Sequence, residues 1–330
     1  MEYEGKKVFV TGAAGFIGSH LVEELVKSGA TVTALVHYNA NSSIGNLQYL
    51  DHQILNQVKI EFGDITDVFQ MQTLTKNVDI ILHLAALIGI PYSYVAPSAY
   101  VSININGTLN MLEAARMNNV ERLVVTSTSE TYGTAIYAPI DEKHPMQGQS
   151  PYSATKIGAD KIAESYYMSF DLPVVIFRPF NTYGPRQSLR AVIPTIVSQA
   201  LNDEPNITLG SISPVRDMLF VKDTAKGFML AGLKQSAIGE VISVGTGVGV
   251  TIGEIVEMVQ QICGTHKAII EDQSRVRPAK SEVFKLICDN KKATELLDWK
   301  STYDLKAGLT EVVEFVKERT DLVNNIRYTV

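Results

Sequence analysis

The chain is predicted to be an α/β protein with a doubly wound parallel sheet and a smaller, mixed C-terminal lobe. Three observations predict this class. A glycine-rich turn follows the first apolar run, further short apolar runs alternate with helical patterns, and this regular pattern ends after Pro179. Strands that alternate with helices are joined by right-handed crossovers, which build a parallel sheet covered by helices on both faces.

Short runs rich in β-branched residues predict the strands. The first strand is expected at 7–10, followed by a helix at about 16–28 that Gly29 ends. A second long helix is expected at 100–118, where apolar residues recur at helical spacing. The remaining strands are expected at 31–36, 58–62, 80–84, 123–126 and 174–177.

The composition bounds the class of protein. The chain has 330 residues, of which 45% are apolar and 19% charged, which is an ordinary globular balance. A net charge of −6 argues against a partner nucleic acid held by phosphate neutralisation. The apolar stretch at 80–90 is too short for a membrane-spanning helix. Two cysteines without a pairing motif, Cys263 and Cys288, predict a reducing cytoplasm.

The glycine turn lies between the first strand and the first helix, with the spacing Gly12-x-x-Gly15-x-x-Gly18. Glycines let the backbone approach the pyrophosphate of a dinucleotide, and the N-terminus of the helix supplies amide donors. An ordinary tight turn is the alternative, but a turn between a strand and a helix favours dinucleotide binding. Residues 1–178 are therefore expected to form a dinucleotide-binding domain.

The second strand ends without an acidic residue, which bears on the choice of cofactor. An acid there would bind the ribose 2′-hydroxyl and select NAD. This chain has His37, Asn39 and Ser42 instead, and no acid before Asp51. The prediction therefore favours NADP over NAD, unless these polar residues touch neither cofactor. Asp64 is expected to accept from the adenine amino group or to cap a helix.

Tyr152 and Lys156 lie four positions apart, so a helix would place them on one face. A nearby Lys156 ammonium is expected to lower the pKa of the Tyr152 phenol. Such a phenol can take a proton from a sugar or alcohol hydroxyl while hydride leaves the same carbon. The pair therefore predicts a redox step beside the dinucleotide.

A run of hydroxyls with one carboxylate, Glu130, follows the fifth strand at 126–133. Ligands of doubly wound sheets bind at the carboxyl ends of the strands, so this run is expected to face the cofactor. A solvated loop is the alternative, but it would not need so many hydroxyls after an apolar strand.

Residues 179–330 are predicted to form the substrate lobe, with one strand near 241–244 returning to the main sheet. Prolines interrupt the pattern there and arginines gather. Guanidinium groups pair bidentately with phosphate oxygens, which suits a nucleotide-diphosphate sugar, and surface salt bridges are the alternative for each arginine. The cluster consists of Arg186, Arg190, Arg216, Arg275 and Arg277.

Taken together, these motifs resemble the extended short-chain dehydrogenase/reductase family, whose cofactor domain is a Rossmann fold. The triplet Thr128-Ser129-Glu130 is similar to that of nucleotide-sugar 4,6-dehydratases of the GDP-mannose dehydratase type, whereas dTDP-glucose dehydratases carry Thr-Asp-Glu. The stretch 178–200 resembles enzymes that act on nucleotide-linked N-acetylglucosamine in nonulosonate and deoxy-amino-sugar biosynthesis. The motifs are Gly12 to Gly18, Asp64, His83-Leu-Ala-Ala86, Asn104, Ser127 to Glu130, Tyr152-x-x-x-Lys156 and Arg178-Pro-Phe-Asn-Thr-Tyr-Gly-Pro185.

The resemblance implies an NAD(P)-dependent lyase acting on UDP- or GDP-N-acetylglucosamine. Tyr152 would deprotonate the C4 hydroxyl, Thr128 would hydrogen-bond the C4 oxygen, and Glu130 would remove the C5 proton before water leaves from C6. Asn104 would hold a kink or a water near Lys156. With Ser129 in place of an acid, either a 4-keto-6-deoxy sugar or a 5,6-ene is expected as the product.

The resemblance also assigns the binding residues and an assembly. A homodimer is implied through helices near 100–117 and 152–169. No cluster of His, Cys and carboxylates has ligand spacing, so no metal is expected. The substrate is assigned to Asn181, Arg186, Arg190, Arg216 and Arg277. The cofactor is assigned to Gly12, Gly15, Phe16, Ile17, Gly18, His37, Asn39, Ser42, Asp64, Ile65, Leu84, Ala85, Ala86, Tyr152 and Lys156.

Three alternatives stay open. A UDP-glucuronate-type decarboxylase shares the Thr-Ser-Glu triplet. A nucleotide-sugar 4-epimerase fits the tyrosine and lysine but has no use for a C5 base such as Glu130. A cofactor-sensing regulator without activity is the third, although such proteins tend to lose the tyrosine–lysine pair, which is present here.

Overall fold

The structure is a computed structural model that describes residues 3–275 and 281–319. Its main sheet has seven parallel strands in the order β10-β6-β5-β4-β1-β2-β3. The strands are β1 Lys7–Thr11, β2 Thr31–His37, β3 Lys59–Gly63, β4 Ile80–His83, β5 Arg122–Thr126, β6 Val174–Pro179, β7 Asn181–Tyr183, β8 Asn206–Leu209, β9 Val215–Phe220, β10 Val241–Val244, β11 Gly249–Thr251, β12 Ala268–Glu271 and β13 Lys285–Leu286.

Helices cover both faces of this sheet, so the predicted α/β class with a doubly wound parallel sheet is confirmed. The helices are α1 Phe16–Lys27, α2 His52–Leu55, α3 Val68–Leu74, α4 Ile90–Val95, α5 Pro97–Tyr100, α6 Gly107–Met117, α7 Pro151–Phe170, α8 Val192–Leu201, α9 Val221–Leu233, α10 Ile252–Cys263, α11 Lys291–Leu297 and α12 Leu305–Lys317.

Two apolar cores hold the helices on the sheet. On one face, Leu21 and Leu25 of α1 pack with Phe228 of α9 and the strands. On the other face, Met111 of α6 and Ala163 of α7 do the same. Burial of these side chains stabilises the layers at roughly 25 cal/mol per Å² of apolar surface. The carboxyl ends of the strands stay uncovered by either layer.

The smaller lobe has a third core, formed by α8, α10 and α12. Its sheet is mixed: β11 is antiparallel to β9, whereas β7 and β13 are parallel to it. A two-stranded parallel sheet, β8 with β12, completes it.

The chain returns to the main sheet more extensively than the sequence predicted. The expected strand is present as Val241–Val244, paired with β6. In addition, α9 and α11 pack on the main sheet through residues such as Phe228 and Leu297. The break in pattern after Pro179 did not reveal this, because packing of α9 on the main sheet is a long-range contact that local patterns do not report.

The helix predicted at 100–118 is interrupted. Residues Val101–Asn106 form a π-helical segment before α6 begins. The buried Asn104 accounts for it, because its side chain hydrogen-bonds the main chain of Leu87 in a neighbouring loop. Such π bulges are frequent at functional sites.

No helix among the described residues is long and apolar enough to cross a membrane.

Candidate active site

The glycine turn after β1 is a cradle that side chains would fill. Gly12 has φ +67°, and a Cβ there would lie 2.8 Å from the backbone nitrogen of Ala85. A Cβ on Gly18 would lie 2.2 Å from the carbonyl oxygen of Gly12. Gly15 caps α1 without a side-chain hydrogen bond, which leaves the first amides of the helix open. This backbone fits the diphosphate of a dinucleotide, with Phe16 and Ile17 at the start of the helix.

The ends of β2 and β3 form the adenosine end of this edge. His37 ends β2, and its Nε2 lies 3.4 Å from a carboxylate oxygen of Asp64. Asn39 bonds the main chain of His37 and Ser43 and so orders the loop that carries Ser42. Because the Asp64 carboxylate stands beside the end of β2, it would repel a 2′-phosphate. The prediction of NADP rested on the missing acid in the sequence of that loop, and the structure adds the Asp64 carboxylate from the end of the neighbouring strand.

Asp64 does not cap a helix. Its carboxylate accepts from the backbone and hydroxyl of Thr66, and the N-cap of α3 is Asp67. The Asp64 carboxylate stays partly exposed and so is placed for a polar contact with a ligand. The adjacent Ile65 is buried.

The loop after β4 is held by one hydroxyl. The Oγ1 of Thr11 accepts from the amides of Leu84 and Ala85, each at 3.1 Å, and bonds the Nδ1 of His83 at 2.8 Å. Burial lowers the pKa of His83 to about 3, so its ring is neutral and structural. Ala86 follows in the same loop, beside the glycine turn.

Tyr152 and Lys156 lie on the first two turns of α7, as predicted. Ser150 caps this helix in a reciprocal pair of hydrogen bonds with Ser153. Both functional side chains are buried, at 7% and 5% exposure. The Lys156 ammonium donates to the carbonyl oxygen of Thr126 at 2.5 Å, and the Tyr152 phenol hydrogen-bonds the side chain of Thr128.

The expected lowering of the Tyr152 pKa by Lys156 is wrong. Burial raises the pKa of the Tyr152 phenol, although the hydrogen bond from Thr128 opposes it. Burial also lowers the pKa of Lys156. The Lys156 ammonium donates to the carbonyl of Thr126, and burial is the largest effect on the pKa of the phenol.

Glu130 lies in a short 3₁₀ turn, Ser129–Tyr132, directly after β5. The Oγ1 of Thr128 accepts from the Glu130 amide at 3.3 Å and so fixes the turn. Ser129 is buried at 2% exposure, whereas Glu130 is only partly buried. The Glu130 carboxylate is near enough to raise the pKa of Tyr152. The structure thus brings the base, the hydroxyl and the carboxylate together.

Asn104 lies behind this group, almost fully buried. Its side chain accepts from the Leu87 amide at 2.8 Å and donates to the Leu87 carbonyl at 3.0 Å. It also donates to the hydroxyl of Thr155 on α7 at 3.1 Å. Asn104 therefore ties the loop after β4 to the helix of Tyr152, and the expected kink is present as the π-helical segment.

The arginines predicted for the substrate are dispersed. Arg186, with φ +67°, pairs with Glu23 of α1 at 2.7 Å through one terminal nitrogen, and its other terminal nitrogen is buried without a hydrogen-bond partner among the described residues. Arg190 is exposed. Arg216 is buried and approaches Glu282 at 3.4 Å. Arg277 lies outside the described residues.

Asn181 follows β6 and is half-buried. Its side-chain oxygen is buried and has no hydrogen-bond partner among residues 3–275 and 281–319. A buried acceptor of this kind costs roughly 1–3 kcal/mol unless a ligand or water satisfies it. Asn181 is therefore placed to contact a ligand.

Sequence reasoning missed an ionic network behind the site. Arg178 and Asp160 are both fully buried and 2.7 Å apart. The available signals were an arginine ending an apolar strand and an acid four residues after Lys156. In the described part of the chain, no group of three or more His, Cys, Asp or Glu residues is arranged to hold a metal.

Known proteins match this chain along nearly its whole length. The family described as GDP-mannose 4,6 dehydratase matches residues 9–312. A putative UDP-glucose 4-epimerase of Methanocaldococcus jannaschii is 31% identical over 94% of this chain and 98% of its own length. A dTDP-glucose 4,6-dehydratase of an Actinoplanes species is 32% identical, over 94% of this chain and 98% of its own.

A solved structure agrees with these relatives. The dTDP-glucose 4,6-dehydratase DesIV of Streptomyces venezuelae, determined with NAD bound, superposes with a TM-score of 0.85. It is 28% identical and covers 97% of this chain and 100% of its own. Some relatives of this chain are named dehydratases and others are named epimerases, so the family alone does not decide between these reactions.

Proposed function

Since this chain belongs to the GDP-mannose 4,6-dehydratase family of extended short-chain dehydrogenases/reductases, we propose that it is a nucleotide-sugar 4,6-dehydratase. It is an enzyme that uses a nicotinamide cofactor, as its family does. The observation that carries the proposal is the Glu130 carboxylate beside the Tyr152 phenol and Thr128. A base at that position can remove the C5 proton, which elimination requires and a simple inversion at C4 does not.

The chemistry begins at Tyr152. A bound nicotinamide would take the C4 hydride and later return it to C6. Tyr152 takes the proton of the C4 hydroxyl, and Thr128, which hydrogen-bonds this phenol, orients the C4 oxygen. Lys156, on the next turn of α7, contributes a positive charge that stabilises the phenolate as it forms and so works against the effect of burial. General base catalysis of this kind contributes typically a factor of 10²–10⁴.

Elimination follows from the ketone. The C4 carbonyl makes the C5 proton acidic, and Glu130 takes it as the C6 hydroxyl departs. The leaving hydroxyl needs a proton to become water. Because Ser129 is not an acid, Glu130 passes on the proton that it took from C5. Glu130 is then a carboxylate again, so it takes a proton from solvent and delivers it to C5 when hydride adds to C6 of the 5,6-ene.

The substrate that we propose is UDP- or GDP-N-acetylglucosamine. The buried Arg216 suits the diphosphate, because a guanidinium offers a fork of donors to phosphate oxygens. Asn181, with its unsatisfied side-chain oxygen, suits the hexose hydroxyls or a phosphate-bound water. The acetamido preference rests on the resemblance of 178–200 to enzymes that act on such sugars.

We propose NAD as the cofactor in place of NADP. The carboxylate of Asp64 lies 3.4 Å from His37 at the end of β2, and a negative charge there disfavours an added 2′-phosphate. DesIV was solved with NAD. Comparing the dissociation constants of the two cofactors tests this, and preference for NADP would contradict it.

We also propose a homodimer. Large apolar side chains are exposed on the π-helical segment, on α6 and on α7, namely Val101, Met117 and Met168. Exposed apolar surface of this kind favours association. Light scattering on the purified protein should give twice the mass of one chain, and a monomeric mass would refute the proposal.

The cytoplasm is the compartment that we propose. Cys263 and Cys288 are both free thiols, which suits a reducing environment. Cell fractionation of the native host should recover the protein in the cytosolic fraction, and recovery outside the cytosol would contradict this proposal.

A 4-epimerase is the second candidate, because a relative with that name matches almost end to end. Product analysis decides between them. UDP-N-acetylglucosamine or GDP-N-acetylglucosamine is incubated with the enzyme in heavy water, followed by mass spectrometry and NMR. The dehydratase predicts loss of one water and deuterium at C5. A C4-inverted product of unchanged mass, or release of carbon dioxide from a nucleotide-linked uronic acid, would overturn the proposal.

A further inference from the structure

A fully buried ionic network lies directly behind the proton-transfer side chains. The Arg178 guanidinium donates to Asp160 at 2.7 Å, to the hydroxyl of Ser127 at 3.1 Å and to the phenol of Tyr132 at 2.6 Å. The hydroxyl of Ser127 also donates to Asp160 at 2.6 Å. The network thus joins β6, α7, the end of β5 and the 3₁₀ turn.

Its position in the chain relates it to the site. Ser127 immediately precedes Thr128, which contacts the Tyr152 phenol, and Tyr132 ends the turn that carries Glu130. Asp160 is one helical turn after Lys156 on α7. The network therefore clamps both ends of the turn and lies beside the ammonium.

A structural role alone leaves one feature unexplained. The Asp160 Oδ1 is buried and has no hydrogen-bond partner among the described residues. Burying an ion pair is often no more stable than burying apolar side chains of similar volume. The unsatisfied carboxylate oxygen is therefore retained at a cost, and its charge acts on Lys156, which it favours in the protonated form.

We propose that Arg178, Asp160 and Ser127 are positioning residues: they hold the turn of Thr128 and Glu130 in place and keep the buried Lys156 ammonium charged. The charge balance supports this. Lys156 of α7 and Arg178 of β6 are two buried cations. The Asp160 carboxylate pairs with Arg178 at 2.7 Å and also favours the protonated form of Lys156. Without Asp160, both cations would stand uncompensated in a desolvated site.

Other charged or titratable groups face Lys156, and none replaces Asp160. The His83 ring is neutral, held between the hydroxyls of Thr11 and Thr108. The phenols are neutral near physiological pH, because burial raises their pKa. These phenols belong to Tyr100, Tyr132 and Tyr152; Glu130 acts on the Tyr152 phenol, whereas Asp160 is the carboxylate that favours protonated Lys156.

The direct test is the ionisation of Lys156. The full-length protein is labelled with carbon-13 at the lysine ε-carbon, and the Lys156 resonance is assigned by its absence in Lys156→Met. In wild type it should report a charged ammonium near neutral pH. In Asp160→Asn the midpoint should fall by about one pH unit or more, because the favourable charge is lost. In Arg178→Met it should rise, because Asp160 is then unpaired.

Glu164→Gln is the matched control, since it removes a carboxylate two helical turns beyond Lys156 that already pairs with Lys161 at 2.7 Å. Its Lys156 midpoint should equal that of wild type. An unchanged midpoint in Asp160→Asn would overturn the proposal. If Asp160→Asn does not fold, the titration of wild type is the test. A Lys156 amine that is neutral near pH 7 in wild type would contradict the proposal that Asp160 keeps it charged.

The positioning part has its own test, which rests on the proposed function. Ser127→Ala should lower the rate of nicotinamide reduction about tenfold to a hundredfold with KM unchanged. Ser127→Thr, which keeps the hydroxyl, should restore much of the rate. An unchanged rate in Ser127→Ala overturns this part. If wild type reduces no nicotinamide with any nucleotide sugar, the proposed function fails, whereas the NMR titration still decides the inference.

Discussion

Replacing Glu130 by glutamine separates the two halves of the proposed reaction. The change keeps the size of the side chain and removes its basicity. The 3₁₀ turn should persist, because Thr128 holds the backbone amide of residue 130, which the substitution does not alter. Only removal of the C5 proton, the step that needs a carboxylate, should therefore become slower.

The expected magnitudes follow from the site. Glu130 raises the pKa of Tyr152. Its neutralisation therefore lowers that pKa, so C4 oxidation should be as fast as in wild type or faster. Elimination loses its base, which costs a factor of about 10²–10⁴, or about 3–5 kcal/mol in the barrier. Reduced nicotinamide should accumulate to nearly one equivalent per site.

Stopped-flow absorbance of reduced nicotinamide measures the first half, and mass spectrometry of the sugar product measures the second. Glu121→Gln is the matched control, because Glu121 lies before β5, at the opposite end from the triplet, and pairs with Lys6 at 2.6 Å. It should behave as wild type. Normal turnover of Glu130→Gln would refute the assignment of the C5 base. Loss of C4 oxidation in that variant would refute the separation of the two steps.

Three further predictions concern the cofactor, the fold and the substrate. Gly18→Ala should weaken dinucleotide binding at least about tenfold, because its Cβ would lie 2.2 Å from the Gly12 carbonyl and displace the helix. Between pH 7 and pH 5 the unfolding free energy of wild type should fall by about 2 kcal/mol because of His83, and His83→Gln should not show this part of the fall. The sign follows because the neutral His83 must be protonated on unfolding below about 6.5. Arg186→Met should leave KM unchanged and lower the unfolding free energy by about 1–3 kcal/mol, because it breaks the pair with Glu23.

Each of these has a decisive measurement. Calorimetric titration with NAD measures the dissociation constant of Gly18→Ala. Gly253→Ala is the control, since a Cβ at Gly253 meets nothing closer than 3.8 Å. Unaltered binding would contradict the cradle. Urea unfolding at both pH values reports His83→Gln, and an unchanged pH dependence would be contrary to prediction. A large rise in KM for Arg186→Met would place that arginine at the substrate after all.

The sequence predicted the sheet and the cluster of Tyr152, Thr128 and Glu130, because both follow from local patterns. Strand ends of a parallel sheet meet at one edge, so polar residues after β5 had to face that edge. The helical spacing of Tyr152 and Lys156 likewise fixed their shared face.

What the sequence did not reveal depends on tertiary contacts and desolvation. The carboxylate beside the end of β2 comes from Asp64 on the next strand, so scanning the loop of His37 could not find it. The raised pKa of Tyr152 arises from burial, which spacing does not report. The pairing of Arg186 with Glu23 joins residues 163 positions apart, so it depends on the tertiary fold.

The position of the Glu130 carboxylate relative to the hexose is the most direct test of the elimination. A crystal structure of Tyr152→Phe, which cannot oxidise C4, with NAD and UDP-N-acetylglucosamine would trap the intact sugar. The carboxylate should lie within about 3.5 Å of C5, on the side of its hydrogen. A carboxylate turned from the ring, with C5 beyond its reach, would contradict the proposed reaction.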